Sequence, residues 1–244
     1  MAEPLALTRI LNHAFAGPVD SLLNTVGMPP KHLDAPIGDA FALELLIAAI
    51  LLAFFIVVRA TLSVEKPAPV QQFAEMIHEF IGGQADQIIG HGYEQFQSFA
   101  TIVFLFILSC NLIGLVPGIN SPTELEKVTL ALAIATFVYY NFYGLKEQGV
   151  VGYLKHFAGP VWWLAWLLFP IEIISHFARI MSLSVRLYAN MFAGGLVTLV
   201  FFSLVPIGVP VVFLGLHLLV SVIQAFVFTL LVMIYLSLAV SHDH

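Results

Sequence analysis

The longest apolar run in the chain, residues 161–203, is the feature that most limits how the chain can fold. A helix that crosses a bilayer upright needs about 20 apolar residues, and this run is about twice as long. The helix therefore tilts strongly, or its beginning lies along the membrane surface. The run also holds Glu172, His176, Arg179 and Arg186. A charged group at bilayer depth costs about 2.5–3.5 kcal/mol on insertion scales, so these four side chains are candidates for function.

The composition indicates that lipid, rather than water, surrounds most of the chain. Of the 244 residues, 60% are hydrophobic and 10% are charged, whereas soluble domains have about 45–50% and about 25%. The net charge of −6 offers no basic patch to phosphates, which excludes nucleic acid as a partner. The lone cysteine, Cys110, cannot form an internal disulfide. We expect neither a metal site nor a cofactor, because the sequence has no metal-ligand or phosphate-binding motif.

Hydropathy along the chain predicts an all-α integral membrane protein with a single membrane domain over residues 1–244. It has about five membrane-embedded helices and one amphipathic surface helix, and the last two helices are long, tilted and antiparallel. The predicted segments are a polar N-terminal segment at 1–40, a span at 41–58, the amphipathic helix at 70–95, spans at 99–116 and 128–145, the long tilted helix at 161–203 and the final helix at 210–239.

Polar side chains of the long run share one face of its helix. At about 100° per residue, they lie within about 40° of Arg186, except for His176 at the edge of the stripe. The members are Glu172, Ser175, His176, Arg179, Ser182, Arg186 and Asn190. One interpretation is structural: Glu172, His176 and Arg179 neutralise one another at helical spacing.

Arg186 is harder to explain in that way. No acidic residue lies within 13 residues of it along the helix, and a guanidinium cannot lose its charge in a protein. The other spans offer no acid at mid-depth, since Glu44 lies near a span end. We therefore predict that the carboxylate partner of Arg186 belongs to another subunit.

The final helix carries a second polar stripe, whose members lie within about 60° of one another. They are His217, Ser221, Gln224 and Tyr235. An antiparallel hairpin turning at 204–209 places Gln224 opposite Arg186 and His217 opposite Gly195. We interpret His217 as functional rather than as a packed core histidine. Asn111 is a further polar group, within the second span.

Five segments resemble subunit a of the F-type ATP synthase. The decapeptide SLSVRLYANM, at 182–191, fits the family signature at every position. The others are NLIGLVPG at 111–118, SPT at 121–123, TLALA at 129–133 and IQAFVFTLL at 223–231. The resemblance covers roughly residues 40–240.

The resemblance implies a proton-translocating stator subunit without catalysis of its own. It would stand beside a ring of c subunits, with the b-subunit peripheral stalk and the rest of the complex as further partners. Two half-channels would lead protons to and from a ring carboxylate, separated by the arginine that matches Arg186. Gln224 and Asn190 match further family positions, and Glu172 matches an acid of the cytoplasmic path. His176 and Ser175 lie beside Glu172 on the same path.

The sequence departs from the family at two glycines. Many members carry an ionisable group at the position of Gly195, paired with one at the position of His217, and some carry an acid at Gly114. Here His217 is expected to be the only titratable group of that pair. The outer half-channel would then use His217, Asn190, Gln224 and water, with Glu44 or Tyr188 as further candidates.

Two other classes of function compete with this interpretation. An independent secondary transporter would show internal repeats, and none is visible in the sequence. A membrane-embedded enzyme could use Glu172 and His176 as an acid–base pair, but it would need a nucleophile or a metal ligand nearby.

The expected location is the inner membrane of a bacterium. The first 39 residues have neither the pattern of a signal peptide nor that of a transit peptide. The positive-inside rule favours a periplasmic N-terminus and a cytoplasmic C-terminus. The loops of one side carry Arg59, Lys66, Lys146 and Lys155, and those of the other carry Arg9, Lys31 and Lys127.

Overall fold

The computed structural model describes residues 5–25, 37–116, 118–158, 165–204 and 208–240, which form seven α-helices. Five of these helices are long and apolar enough to cross a membrane. The prediction of an all-α, multi-spanning protein with long final helices is therefore confirmed. The chain divides into two compact units, residues 1–56 and residues 57–244.

The first unit contains α1 (Ala6–Thr25) and most of α2 (Asp39–Ala60). Asp39 begins α2, and its carboxylate accepts hydrogen bonds from the Leu5 N–H and from the Thr8 hydroxyl. The apolar length of α2 agrees with a span, predicted at 41–58. Residues 1–4 and 26–36 of the predicted polar segment lie outside the described residues.

In the second unit, two helices occupy the region where the sequence predicts one continuous amphipathic helix over 70–95. The structure has α3 over Pro69–Ile89 and α4 over Glu94–Ile113. Gly90 and Gly92 separate them with φ angles of 75° and 86°, a region that glycine enters without steric cost. The chain therefore turns and brings α4 back against α3.

Hydrogen bonds join α3 to its neighbours. The Gln97 amide donates to the His78 carbonyl at 2.8 Å, and the His78 ring is hydrogen-bonded to the Thr101 hydroxyl at 3.1 Å. At the end of α3, the Ser237 hydroxyl donates to the Ile88 carbonyl at 2.9 Å. The polar side of α3 is thus partly used in packing on other helices.

Three longer helices complete the unit, with a 3-10 turn at Pro122–Glu124 preceding the first of them. They are α5 (Glu126–Ala158), α6 (Ala165–Leu204) and α7 (Val209–Val240). Gly149 interrupts α5 with a φ of 70°, so the apolar part of α5 ends there. Residues 161–164, where the long helix is predicted to begin, lie outside the described residues.

The last two helices are antiparallel, as predicted. Asn190 pairs with Gln224 near the middle of α6. Further along α6, the rings of Phe201 and Phe213 stack with their centroids 4.0 Å apart. The partner on α7 thus moves towards the beginning of α7 as α6 advances. Besides α6, α7 packs on α3, α4 and α5, which places it at the centre of the unit.

Two adjacent glycines of α3, Gly82 and Gly83, provide a test of how α4 packs on α3. A Cβ at Gly82 would collide with the Gln97 amide, whereas a Cβ at Gly83 would meet nothing within 4 Å. Gly83→Ala should raise the free energy of unfolding by about 1 kcal/mol, the gain in helix propensity. Gly82→Ala should lose that gain, because displacing the Gln97 bond costs about 0.5–1.5 kcal/mol. Thermal unfolding in detergent compares the two, and equal midpoints would contradict the packing described.

Candidate functional site

Arg186 is exposed, on a side of α6 that no other described helix of the second unit covers. Its neighbour Val185 is 55% exposed and Ala189 is also exposed, whereas Leu183 and Leu187, on the flank of α6 that packs into the unit, are buried. Within the described ranges Arg186 forms no ion pair. A permanent cation therefore stands on an uncovered apolar surface.

Asn190, one turn after Arg186, connects this surface to α7. Its side-chain amide donates to Oε1 of Gln224 at 2.6 Å. The sequence places Gln224 opposite Arg186, whereas the hydrogen bond of the structure joins Gln224 to the next turn of α6. Gln224 is buried, so the pair links the core of the unit to the Arg186 face.

A second polar cluster lies 14 residues before Arg186, about 21 Å along the helix. Oε1 of Glu172 is 3.4 Å from Nδ1 of His176 and 3.7 Å from Nη2 of Arg179. The Arg179 guanidinium also lies over the Tyr235 ring, 5.6 Å from its centroid. The structure thus brings these three α6 side chains together, as the structural interpretation expects. Ser175 is half-buried one turn from Arg179, and Ser182 is exposed one turn before Arg186.

On the other side of Arg186, a cavity of about 380 Å³ opens between the end of α4, α6 and the first half of α7. His217 lines this cavity and is buried. Among the described residues, its Nε2 atom has no hydrogen-bond partner. A Cβ at Gly194 would lie 3.1 Å from the imidazole, so His217 faces Gly194 rather than Gly195, which also lines the cavity.

The same cavity contains a carboxylate that the sequence analysis does not assign to it. Glu124, from the 3-10 turn, is half-buried, and its Oε1 atom would lie 2.6 Å from a Cβ at Gly195. Burial raises the pKa of Glu124, and a hydrogen bond with the Ser121 backbone partly opposes that shift. A second titratable group, beyond the pair of positions 195 and 217, therefore lines the cavity.

A hydrogen-bond network holds the turn that carries Glu124. The Ser121 hydroxyl donates to the Cys110 carbonyl at 2.7 Å, and the Thr123 hydroxyl donates to Oδ1 of Asn111 at 2.7 Å. The Asn111 amide in turn donates to the Ser221 carbonyl of α7 at 3.2 Å. Asn111 and Ser221, predicted as supporting polar groups, thus belong to one network: Asn111 holds the turn to α4 and joins α4 to α7.

The signal that could have identified Glu124 is the pair of glycines. Gly114 and Gly195 have no side chains to fill the space near them, and the first acid in the loop after α4 is Glu124. Of the other candidates, Tyr188 stacks on Phe192 with a centroid distance of 5.4 Å, and Glu44 belongs to the first unit.

Comparison with known proteins finds the same family by a family model and by individual relatives. The family model for the ATP synthase A chain matches residues 41–237. The chain is 51% identical to the ATP synthase subunit a of Koribacter versatilis over 244 residues, which is all of both chains. It is 43% identical to that of Solibacter usitatus over 235 residues, covering 96% of this chain and 100% of the relative. The protein of the same name from Bdellovibrio bacteriovorus is 47% identical over 170 residues, or 70% and 74% of the two chains.

Gly114 tests whether the turn depends on close approach to α4. Its backbone has φ −68° and ψ −11°, which any residue adopts, but a Cβ would lie 2.7 Å from Cβ of Ser121 and 3.2 Å from its backbone nitrogen. Gly114→Ala should therefore destabilise the chain by about 1–3 kcal/mol, as overpacking does. Gly215→Ala is the control, because a Cβ there meets nothing within 4 Å. Thermal unfolding of both variants decides, and a fully stable Gly114→Ala would contradict this account.

Proposed function

The chain belongs to the ATP synthase A chain family, and from that premise we propose that it is the proton-translocating stator subunit of its complex, without catalysis of its own. The observation that carries the proposal is Arg186, a permanent cation on an uncovered apolar face of α6. A charge at that depth is costly unless a partner neutralises it. The proposed partner is the carboxylate of a c-subunit ring that covers this face.

The chemistry of such a contact follows from electrostatics. An opposite charge within about 4–6 Å lowers the pKa of a carboxyl group by about 1–3 units. A ring carboxyl that reaches Arg186 therefore releases its proton, whereas one that faces lipid stays protonated because burial raises its pKa. Arginine suits this role, since its guanidinium remains charged throughout.

Two polar regions on opposite sides of Arg186 support two separate proton paths. The cluster of Glu172, Ser175 and His176 would form the inner path. The cavity at His217, with Asn190 and Gln224 leading from it towards Arg186, would form the outer one. A continuous wet path would leak protons, and a fixed cation between two half-paths repels hydronium. Each proton that crosses 100 mV releases about 2.3 kcal/mol, which the complex uses for ATP synthesis.

The setting proposed for this function is the inner membrane of a bacterium, with the N-terminus periplasmic and the C-terminus cytoplasmic. The remaining proposed partners are the b-subunit peripheral stalk and membrane lipid. Family membership does not favour an independent secondary transporter. The Glu172 cluster also offers little to an acid–base enzyme, because Glu172 lies against Arg179 as well as His176.

Replacing Arg186 tests the proposal directly. Arg186→Ala should abolish ATP-driven proton pumping by the assembled complex, because nothing then discharges the ring carboxylate or separates the paths. Arg186→Lys should also fail, since it keeps the charge but loses the planar fork. Arg59→Ala, an exposed arginine at the end of α2, is the control and should pump normally. Pumping is measured in membrane vesicles, and near-normal coupled pumping by either Arg186 variant would refute the proposal.

Glu172 should be important but not essential. Glu172→Gln removes the charge that attracts protons to the inner path, while Ser175 and water keep that path polar. We expect slower pumping, with a smaller loss than in Arg186→Ala. Glu65→Gln, an exposed acid in the loop before α3, is the matched control. Complete loss of ATP synthesis would show a larger role for Glu172, and unchanged rates at every pH would show that its ion pairs are purely structural.

A further inference from the structure

We propose that Glu124 is the carboxyl group of the outer proton path, exchanging protons with His217. The acid would thus come from the turn between α4 and α5 rather than from α6. This inference rests on the proposed function, since it assigns a residue to one of its two paths.

The first support is the shared cavity. Glu124 and His217 line the same space, about 380 Å³ in volume, from two different elements. Their side chains lie against consecutive residues of α6: the imidazole against Gly194 and the carboxyl against Gly195. A space of this size holds water molecules, which need about 30 Å³ each. An acid and an imidazole in one cavity of this size can therefore exchange protons through water.

The second support is an unused polar atom. His217 is buried, yet its Nε2 atom has no partner among the described residues. A buried polar atom without a hydrogen bond is costly and calls for an explanation. In the cavity, this nitrogen is the group that would take up or release a proton.

The third support is the room made for the carboxyl group. A side chain at Gly195 would occupy the place that Glu124 Oε1 now holds, and a side chain at Gly114 would push Ser121 away. The two glycines therefore permit the turn to reach α6. The bonds from Thr123 to Asn111 and from Asn111 to Ser221 then fix where the acid points.

The proton transfer balances without any further reactant. A protonated Glu124 gives its proton, through a water molecule of the cavity, to Nε2 of a neutral His217, which leaves a carboxylate and an imidazolium. The imidazolium passes the proton on towards the ring carboxylate, and Glu124 regains a proton from the outer water. Burial raises the pKa of Glu124, which brings the pKa of the acid closer to that of an imidazole and makes the exchange easier in both directions.

The experiment compares variants of the assembled complex, with ATP-driven pumping normalised to the amount of this chain in the complex. Glu124→Gln should slow pumping roughly tenfold, because a positioned acid or base commonly contributes a hundredfold or more and cavity water replaces part of that. Glu124→Asp should keep part of the rate. Glu126→Gln is the matched control, because Glu126 is exposed and does not line the cavity; it should pump as wild type.

A double variant separates a lost acid from a damaged turn. Glu124→Ala removes the carboxyl group and clears the space in front of Gly195. Adding Gly195→Glu then returns a carboxyl group to that space from α6. Pumping should recover in the double variant relative to Glu124→Ala alone. Failure to recover, with the complex assembled, would overturn the proposal.

Arg186→Ala in the same assay keeps the two proposals apart. If Arg186→Ala does not pump while Glu124→Gln pumps at the wild-type rate, Glu124 is a packing residue and only this inference fails. If Arg186→Ala itself pumps normally, the proposed function fails.

Discussion

A charge that cannot be removed, placed where lipid would otherwise lie, is the constraint on which the rest of this structure depends. Arg186 stays protonated at any pH the cell meets, so its neighbours must either neutralise it or hold it ready for a partner. Within the described chain none neutralises it. The adjacent flank of α6, with Leu183 and Leu187, packs into the unit. One side of α6 thus packs within the unit, while the side that carries Arg186 is exposed and is the one the proposed function assigns to assembly.

Much of this arrangement is predictable from sequence, because the length of a membrane span and the face of a helix on which a residue lies both depend only on residues near one another in the chain. Lipid demands about 20 apolar residues per span, which identifies the five long helices. Helical periodicity places Glu172 near Arg179, and counting from the hairpin places His217 within one residue of its observed neighbour on α6. These predictions need only distances along one helix or across one turn.

The remaining features depend on contacts between elements that sequence spacing does not reveal. The positive φ angles of Gly90 and Gly92 let the chain reverse so that α4 packs on α3, a contact between two helices that the spacing of apolar residues does not show. In the sequence Glu124 is indistinguishable from an ordinary loop acid, since its position in the cavity depends on two glycines, ten residues before and 71 residues after it. The roles of Arg186 and its companions in proton transport stay predictions until the variants are measured.

The close approach of Glu124 to Gly195 has a consequence for how such chains diversify. Side chains at positions 124 and 195 compete for one volume, so an acid on the turn and an acid on α6 exclude each other sterically. A lineage that moves the carboxyl group from the turn to α6, or back, must change positions 124 and 195 together. The residue at position 114 must stay small as long as the turn packs against α4. These three sites should therefore covary as a set among related chains, even though no two of them are close in sequence.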